Sequence, residues 1–413
     1  MLKDTPARRM AIVGTGHRGT GMWGKELLGG WRQHVDLVGL CDINEMRARA
    51  AAAQIGTNAP IYTSYEQMFA ELKPDTVIVT TRDDIHDEVI IKALEAGIHV
   101  VSEKPLTTTP EKCRAILEAE RRTSGRIDVT FNYRFSPTAR RLKELLRSGV
   151  IGDVTSVDFH WYLDTSHGAD YFRRWHAYEQ HSGSLFVHKA SHHFDLLHWY
   201  LDSEPRSVYA TAALRKYGRN GPFRGERCGV CLHARECDFF FDVAADPWLT
   251  SLYVGPSEED GYYRDGCVFR EDIDIPDTMA ATILFQNGAQ AAYSLNAYLP
   301  IEGYHIAFNG TAGRIELRQY EKQPWAMPPQ DEILLMRHFK PEERIVVPYT
   351  PGGHFGGDDR LRDMLFGEGT DDPLGQRASA YAGAIAMLTG AAALRSSKEG
   401  RPVTLAELGG LPQ

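Results

Sequence analysis

Met10-Ala11-Ile12-Val13-Gly14-Thr15-Gly16-His17-Arg18-Gly19 decides how the rest of the chain is read. Four apolar residues form a buried strand, and the Gly-x-Gly-x-x-Gly after them turns that strand into a helix beginning near Gly19. Gly14 permits the tight turn, Gly16 lets a pyrophosphate approach the backbone, and Gly19 lets the helix pack closely. The turn residues Thr15, His17 and Arg18 then sit where a helix N-terminus offers N–H groups to phosphate. A glycine-rich turn with no ligand would read the same in isolation; the strand before it and the helix after it are what raise the motif. A second strand, Val35 to Cys41, ends at Asp42, whose carboxylate can accept hydrogen bonds from an adenine ribose diol. A 2′-phosphate there would meet like charge, so Asp42 favours NAD over NADP, with Arg47 and Arg49 close enough to soften the preference. Thr80, Thr81, His86, Glu103 and Lys104, near the ends of later strands, complete the expected cofactor-facing set.

Outward from that turn, short apolar runs alternate with helical patterns as far as the strand Ile127 to Phe131, which implies a parallel, doubly wound sheet. After about Pro137 the pattern changes. Strands with alternating or aromatic character are expected at 154–163, 207–214, 279–285, 289–297, 305–309, 314–317 and 332–336, around one long helix at 185–200 and a last Ala-rich helix at 379–395. This is the pattern of a mostly antiparallel, open-faced sheet with helices on one side. The expected fold class is therefore α/β: a Rossmann NAD-binding domain over residues 1–131 and an α+β domain for substrate binding and oligomerisation over 132–413. Residues 216–275 lack periodicity and read as a Cys-rich insertion. The open face, carrying residues such as Tyr293 and Leu295, would be a large apolar patch on a monomer, which points to a homodimer or homotetramer.

Ser102-Glu103-Lys104-Pro105 ends a parallel strand, where such sheets face the ligand crevice. A lysine there can donate to a substrate hydroxyl or share its proton, although a Lys-Pro step is by itself more often a surface turn. His188 and His192 are four apart and predicted to share one helix face. Two imidazoles there could serve as acid and base or bind metal, and a lone histidine on so apolar a helix would be structural. Tyr133, Trp161, Tyr162, Arg173 and Trp175 could stack on and hydrogen-bond a sugar ring, with ordinary packing as the alternative for each.

The chain resembles the Gfo/Idh/MocA oxidoreductases, the group of glucose–fructose oxidoreductase and inositol dehydrogenase. The resemblance is carried, in order, by GTGHRG at 14–19, EKP at 103–105, NYRFSP at 132–137, HKASHHFD at 188–195 and FNGTAGRIEL at 308–317. It implies that Lys104 positions and activates a substrate hydroxyl and that His192 acts as acid/base. The family's helix usually carries an aspartate and a glycine where this chain has His188 and Ala190. A base that titrates near neutrality thus replaces a fixed anion, and Lys189 beside it is a second candidate donor. The resemblance also implies pairing of subunits through the open sheet. The expected activity is removal of hydride from a secondary ring hydroxyl of a sugar, glycoside or cyclitol, with Tyr133, Arg173, Trp175 and His192 at the substrate. Two alternatives are a glycoside-cleaving enzyme that oxidises a ring carbon transiently and a non-catalytic sensor of sugar or nucleotide.

Composition bounds these readings. The 413 residues carry a net charge of −9, with 43% hydrophobic and 24% charged residues. That is ordinary globular composition without the basic footprint of a nucleic-acid binder. The N-terminal residues show no apolar signal region. The Ala/Gly-rich stretch at 381–394 is too short to span a bilayer, so a cytoplasmic protein without a membrane partner is expected. Of six cysteines, Cys228, Cys231, Cys237 and Cys267 fall in the insertion. Cys-x-x-Cys followed by two more thiols can hold structural zinc. Reduced buried cysteines, a disulfide and an iron–sulfur cluster are the alternatives, because the second Cys-x-x-Cys of the usual pair is missing.

Overall fold

The computed structural model describes residues 7–367 and 371–410. The first sheet is built from β1 (Arg8–Val13), β2 (Val35–Cys41), β3 (Ile61–Tyr62), β4 (Thr76–Val79), β5 (His99–Ser102) and β6 (Ile127–Val129). The second contains β7 (Val154–Asp164), β8 (Pro205–Ala213), β9 (Thr278–Phe285), β10 (Gln290–Leu299), β11 (Glu302–Gly310), β12 (Gly313–Lys322), β13 (Gln330–Arg337) and β14 (Glu343–Pro348). Two short strands from the end of the chain, β15 (Ala378–Ser379) and β16 (Val403–Thr404), add one edge to each sheet.

The first sheet has the order β15-β6-β5-β4-β1-β2-β3. β1 to β6 pair parallel, and β15 closes the β6 edge antiparallel. The strand order reverses between β1 and β4, which opens a crevice at the carboxyl ends of the strands. The helices between strands start where local chemistry caps them. Asn44 accepts from the Arg47 N–H, and Thr109 and Ser136 cap helices that have proline in their first turn.

The second sheet has the order β14-β13-β12-β11-β7-β10-β9-β8-β16. Only β7 and β10 run parallel; the other neighbours pair antiparallel. The helices Ser191–Leu201 and Ala380–Glu399 pack together, and the latter covers β8. One apolar core runs from the first sheet through these helices into the second, and a smaller one lies under the opposite face of the first.

Period-two alternation overturns one expectation about the open face. Tyr293 and Leu295 are buried on the helix-covered side, where the Tyr293 hydroxyl meets His193 Nδ1 at 2.7 Å. The opposite face carries Asp158, His160, Ser294, His305, Arg314 and Glu316. Arg314 bridges Asp158 (3.2 Å) and Glu316 (3.0 Å), and His160 meets Ser294 at 2.9 Å. This surface is polar, and the apolar patch named from sequence does not exist on it.

The predicted helix at 185–200 is also two helices, Ser184–His188 and Ser191–Leu201. The Ala190 N–H reaches back to Leu185 and the His193 N–H only to Ala190, so spacing of five and three residues interrupts the regular turn. Among the elements that escaped the sequence reading are the helices Thr165–Arg173, Pro247–Tyr253 and Gly353–Phe366, and the strands β14, β15 and β16.

The two sheets are joined through a buried ion pair. Arg134 holds Asp195 with both guanidinium arms, Nε to Oδ2 at 2.7 Å and Nη2 to Oδ1 at 2.5 Å. Burial pushes Asp195 up to about 6 against the pull of Arg134, so at neutral pH the contact is an ion pair whose desolvation is only partly offset. Removing one partner strands the other charge. Asp195→Ala is therefore expected to lower the unfolding free energy by about 3–5 kcal/mol in urea denaturation. Glu45→Ala, which breaks the exposed Arg49–Glu45 contact, should leave the midpoint nearly unchanged. Equal shifts for the two variants would reject this assignment.

Candidate active site

The carboxyl ends of β1, β2, β4 and β5 deliver Gly14, Asp42, Thr80 and Glu103-Lys104 to one crevice. Gly14 has φ +94°, and a Cβ on it would lie 2.6–2.7 Å from the Thr80–Thr81 backbone; a Cβ on Gly19 would lie 2.1 Å from the Gly14 carbonyl. Both positions therefore require glycine. Beyond the turn, residues Arg18–Lys25 wind with π-type hydrogen bonding before an α-helical stretch, Glu26–Gly30. The Thr80 hydroxyl donates to the Gly14 carbonyl and locks the turn onto β4.

Asp42 Oδ2 accepts from the Thr15 N–H (2.8 Å) and hydroxyl (3.0 Å), which aims the carboxylate into the crevice. Arg47 is buried and committed to Asp42 at 3.5 Å, Asp260 at 2.7 Å and the Leu252 carbonyl at 3.2 Å. Arg49 pairs with Glu45. Arg47 thus offsets part of the charge of Asp42 from within its own ion pair, while Arg49 is turned to Glu45. The glycine turn and the Asp42 carboxylate at the next strand end fit a nicotinamide dinucleotide.

The remaining residues of the expected cofactor set lie one layer behind the turn. Glu103 accepts from Arg18 Nε (2.7 Å) and Trp23 Nε1 (3.0 Å). Burial alone would raise its carboxyl, but Arg18 wins and holds it below the usual range. His86 lies between the carbonyls of Pro105 (2.9 Å) and Thr81 (3.2 Å) and ties two strand-end loops together, with burial lowering its basicity. The Lys104–Pro105 bond is cis.

Lys104 Nζ donates to the His188 carbonyl at 2.8 Å. Burial pulls its ammonium down to about 8, with Asp83 opposing and Lys189 adding to the shift. His192 is buried, and burial first, then Lys104 and Lys189, hold it far below its ordinary value. It is therefore a neutral imidazole at pH 7, and its Nδ1 has no hydrogen-bond partner. An orphaned buried nitrogen of this kind is a natural place for a ligand proton. Tyr133 stands edge-on to His192 at 5.0 Å. Lys189 Nζ lies over the rings of Trp161 (5.1 Å) and Tyr133 (5.7 Å), a buried cation held by aromatic faces.

Three residues of this cluster are legible only in the structure. Asp83, in the loop after β4, meets His188 Nδ1 at 2.5 Å. The carboxylate missing from position 188 is thus supplied from another strand end. Burial pushes Asp83 up and Lys104 opposes it, while burial and Lys104 push His188 down. Burial thus drives both partners toward their neutral forms, and Lys104 draws Asp83 back toward its carboxylate, so Asp83 and His188 Nδ1 share one proton beside the ammonium. His354 and Asp358 come from the unpredicted segment Gly353–Phe366, His354 from the left-handed kink at residues 354–356 and Asp358 from the helix that follows it. His354 lies 5.8 Å from His192, ring to ring, and 4.8 Å from Tyr133, and Asn132 Nδ2 donates to Asp358 at 2.6 Å.

Not every expected substrate residue arrives. Trp175 stacks on His176 at 3.6 Å and stands edge-on to His188 at 5.8 Å, so it borders the cluster. Arg173 does not reach it. Its guanidinium turns into the insertion, with Nη1 3.4 Å from Cys228 Sγ and Nη2 on the Phe239 carbonyl. The helix Thr165–Arg173 ends there and faces its last side chain away from the crevice. Trp161 is packed between His193 and Tyr304, and Tyr162 lies on the opposite sheet face. Among the described residues, no helix is long and apolar enough to cross a membrane.

Comparison with known proteins agrees with this geometry. Residues 8–131 match the model described as "Oxidoreductase family, NAD-binding Rossmann fold", and residues 143–405 the one described as "Oxidoreductase family, C-terminal alpha/beta domain". The putative oxidoreductase YteT of Bacillus subtilis is 36% identical over 97% of this chain and 98% of its own length. A D-glucoside 3-dehydrogenase of Escherichia coli is 34% identical over 123 residues, 30% of this chain and 35% of that protein. The crystal structure of myo-inositol 2-dehydrogenase from Lactobacillus plantarum superposes with a TM-score of 0.66 at 17% identity, covering 97% of this chain and 99% of the other. With both halves of the family pattern matched and the strand-end site intact, the chain belongs to the Gfo/Idh/MocA family of NAD-binding oxidoreductases.

Proposed function

We propose that the protein is an NAD-dependent dehydrogenase acting on a secondary ring hydroxyl of a sugar, glycoside or cyclitol. The observation that carries this reading is a partly desolvated Lys104 ammonium at a strand end beside a neutral, buried His192 with an unpartnered ring nitrogen. A cation to polarise a hydroxyl oxygen and a neutral base to receive its proton are what alcohol oxidation needs from a protein. The names of the relatives, glucoside and inositol dehydrogenases, support the substrate class.

When bound, NAD supplies the hydride acceptor. Gly14, Gly16 and the N–H groups of the turn would cradle its phosphates, and Asp42 its adenine ribose. Lys104 is held by the His188 carbonyl so that its remaining N–H donors face the cleft. It lowers the basicity of the substrate oxygen, and His192 takes the hydroxyl proton. Tyr133 and Trp175 wall the cleft with apolar rings that exclude water and suit the faces of a sugar. Asp83 and His188 act behind Lys104. The carboxylate fixes the imidazole tautomer and offsets the buried ammonium, so the pair is a positioning element.

Four outcomes test the proposal. Titration of the purified protein should show tighter binding of NAD than NADP, with Asp42→Ala narrowing the gap; equal affinity in the unaltered protein would overturn the assignment of Asp42. Lys104→Ala and His192→Ala should each lower turnover by about 100-fold or more, the size of a lost acid or base, with NAD affinity near the starting value. Because Lys104 must keep its proton to polarise the oxygen, kcat/KM for oxidation should fall as pH rises through about 8. A rate flat to pH 10, or sugar turnover with no NADH released in the steady state, contradicts this mechanism. Finally, His188→Asp sets a second carboxylate against Asp83 and should slow the enzyme despite restoring the more usual residue. A faster enzyme would show that Asp83 does not stand in for it.

A further inference from the structure

Four cysteines distant from the crevice converge on one small, almost wholly apolar cavity. Cys228, Cys231, Cys237 and Cys267 all line it, together with Arg173 and the rings of Phe223 and Phe239. The chain is folded to bring them there. Arg227 and Gly266 form an isolated antiparallel bridge, the Cys228 N–H donates to the Asp265 carbonyl at 2.8 Å, and the Cys267 N–H to the Glu226 carbonyl at 3.0 Å. Those bonds zip Cys228 against Cys267. The 3-10 turn Cys228–Val230 then curls Cys231 back, its N–H on the Cys228 carbonyl at 3.1 Å. The Phe269 N–H donates to Cys267 Sγ at 3.4 Å, an N–H···S contact that suits a sulfur carrying negative charge. All four cysteines are free thiols.

We infer that this cavity is a structural site for a single zinc ion held by Cys228, Cys231, Cys237 and Cys267. Size suits one ion: the cavity is about 10 Å³, room for one water-sized sphere. Charge fits as well. Four thiolates on one divalent cation carry a net −2, and two guanidinium groups stand beside them. Arg173 contacts Cys228 Sγ at 3.4 Å, and Arg270 Nη1 contacts the Cys267 carbonyl at 2.9 Å. Binding releases the thiol protons to solvent. Among the described residues no three of the sulfurs lie within 4.8 Å of one another, so the thiols must draw together on the ion, whereas Asp164, His167 and Glu302 already lie that close. That second cluster already holds the Lys322 ammonium on Asp164, which fills it with a positive charge.

The ion would staple the two ends of the segment from Cys237 to Cys267, and that segment reaches the dinucleotide turn. The Tyr253 hydroxyl accepts from the His17 N–H at 2.7 Å, Asp260 pairs with Arg47 at 2.7 Å, and the Pro256 carbonyl accepts from Asn44 at 2.7 Å. Zinc therefore holds the strap that lies over the cofactor turn, and closing this loop limits its freedom in the unfolded chain.

Elemental analysis of protein purified without added metal tests the site without any turnover assay, so its result stands apart from that of the proposed reaction. About one zinc per chain is expected, released in step with titration of the thiols by a mercurial. Cys231→Ser/Cys237→Ser, which alters the two more exposed ligands, should lose the zinc and make residues 238–266 the first site of limited proteolysis. Protein without zinc, protein with iron and a brown chromophore, or zinc retained in the double variant would each overturn the inference.

Discussion

The bidentate contact between Arg134 and Asp195 is the constraint on which the site depends. Arg134 lies in the 3-10 turn Asn132–Phe135, directly after the last parallel strand, and Asp195 lies one turn beyond His192. The first sheet supplies Lys104 and the dinucleotide turn, while the helix against the second sheet supplies His192. A rotation of one sheet against the other would move base and ammonium apart. A charge pair buried between the layers resists that rotation better than apolar contact, because its two parallel hydrogen bonds accept only one orientation. The same contact fixes Tyr133, Arg134's neighbour, against the His192 ring.

The electrostatics of the cluster follow from burying more potential cations than anions. Lys104, Lys189, His176, His188, His192 and His193 crowd one region, and burial pushes all six toward their neutral forms. Each protonated neighbour makes the next protonation harder. The histidines therefore yield first, because their ordinary basicity is far below that of lysine. The outcome is a division of labour without special machinery: ammonium groups that stay charged and imidazoles that stay free to accept a proton. Asp83 keeps Lys104 on the charged side of that division.

How much of this the sequence disclosed depends on whether the signal was local. The glycine turn, Asp42 and the Glu103-Lys104-Pro105 step depend on the chain within a few residues of themselves, and the structure delivers each to a strand end. His192 was legible through its place in the HKASHHFD run. Asp83 was not, because its partner lies 105 positions away and its own neighbourhood reads as a polar loop. Arg173 was misread for the complementary reason. Its position beside Trp175 suggested a sugar contact, yet a helix of nine residues turned its guanidinium toward the cysteines. Tyr293 and Leu295 show the limit of alternation: it says that two sets of side chains face opposite ways, and tertiary packing decides which set is covered.

The insertion shows how a family scaffold can carry additional control of its cofactor edge. Residues 247–262 touch the glycine turn, the cap of the following helix and Arg47. The first of these is a backbone N–H of the turn that a dinucleotide would also address. Tyr253 already occupies the hydrogen-bonding direction of the His17 N–H, so dinucleotide and tyrosine compete for it or share it. A loop with such reach and no regular sheet of its own would ordinarily be loose at its ends. Drawing those ends into one cavity fixes the strap from behind, where no cofactor contact is spent. The chemistry of the cysteines and the chemistry of the crevice are thereby separated in space and joined through the backbone that runs between them.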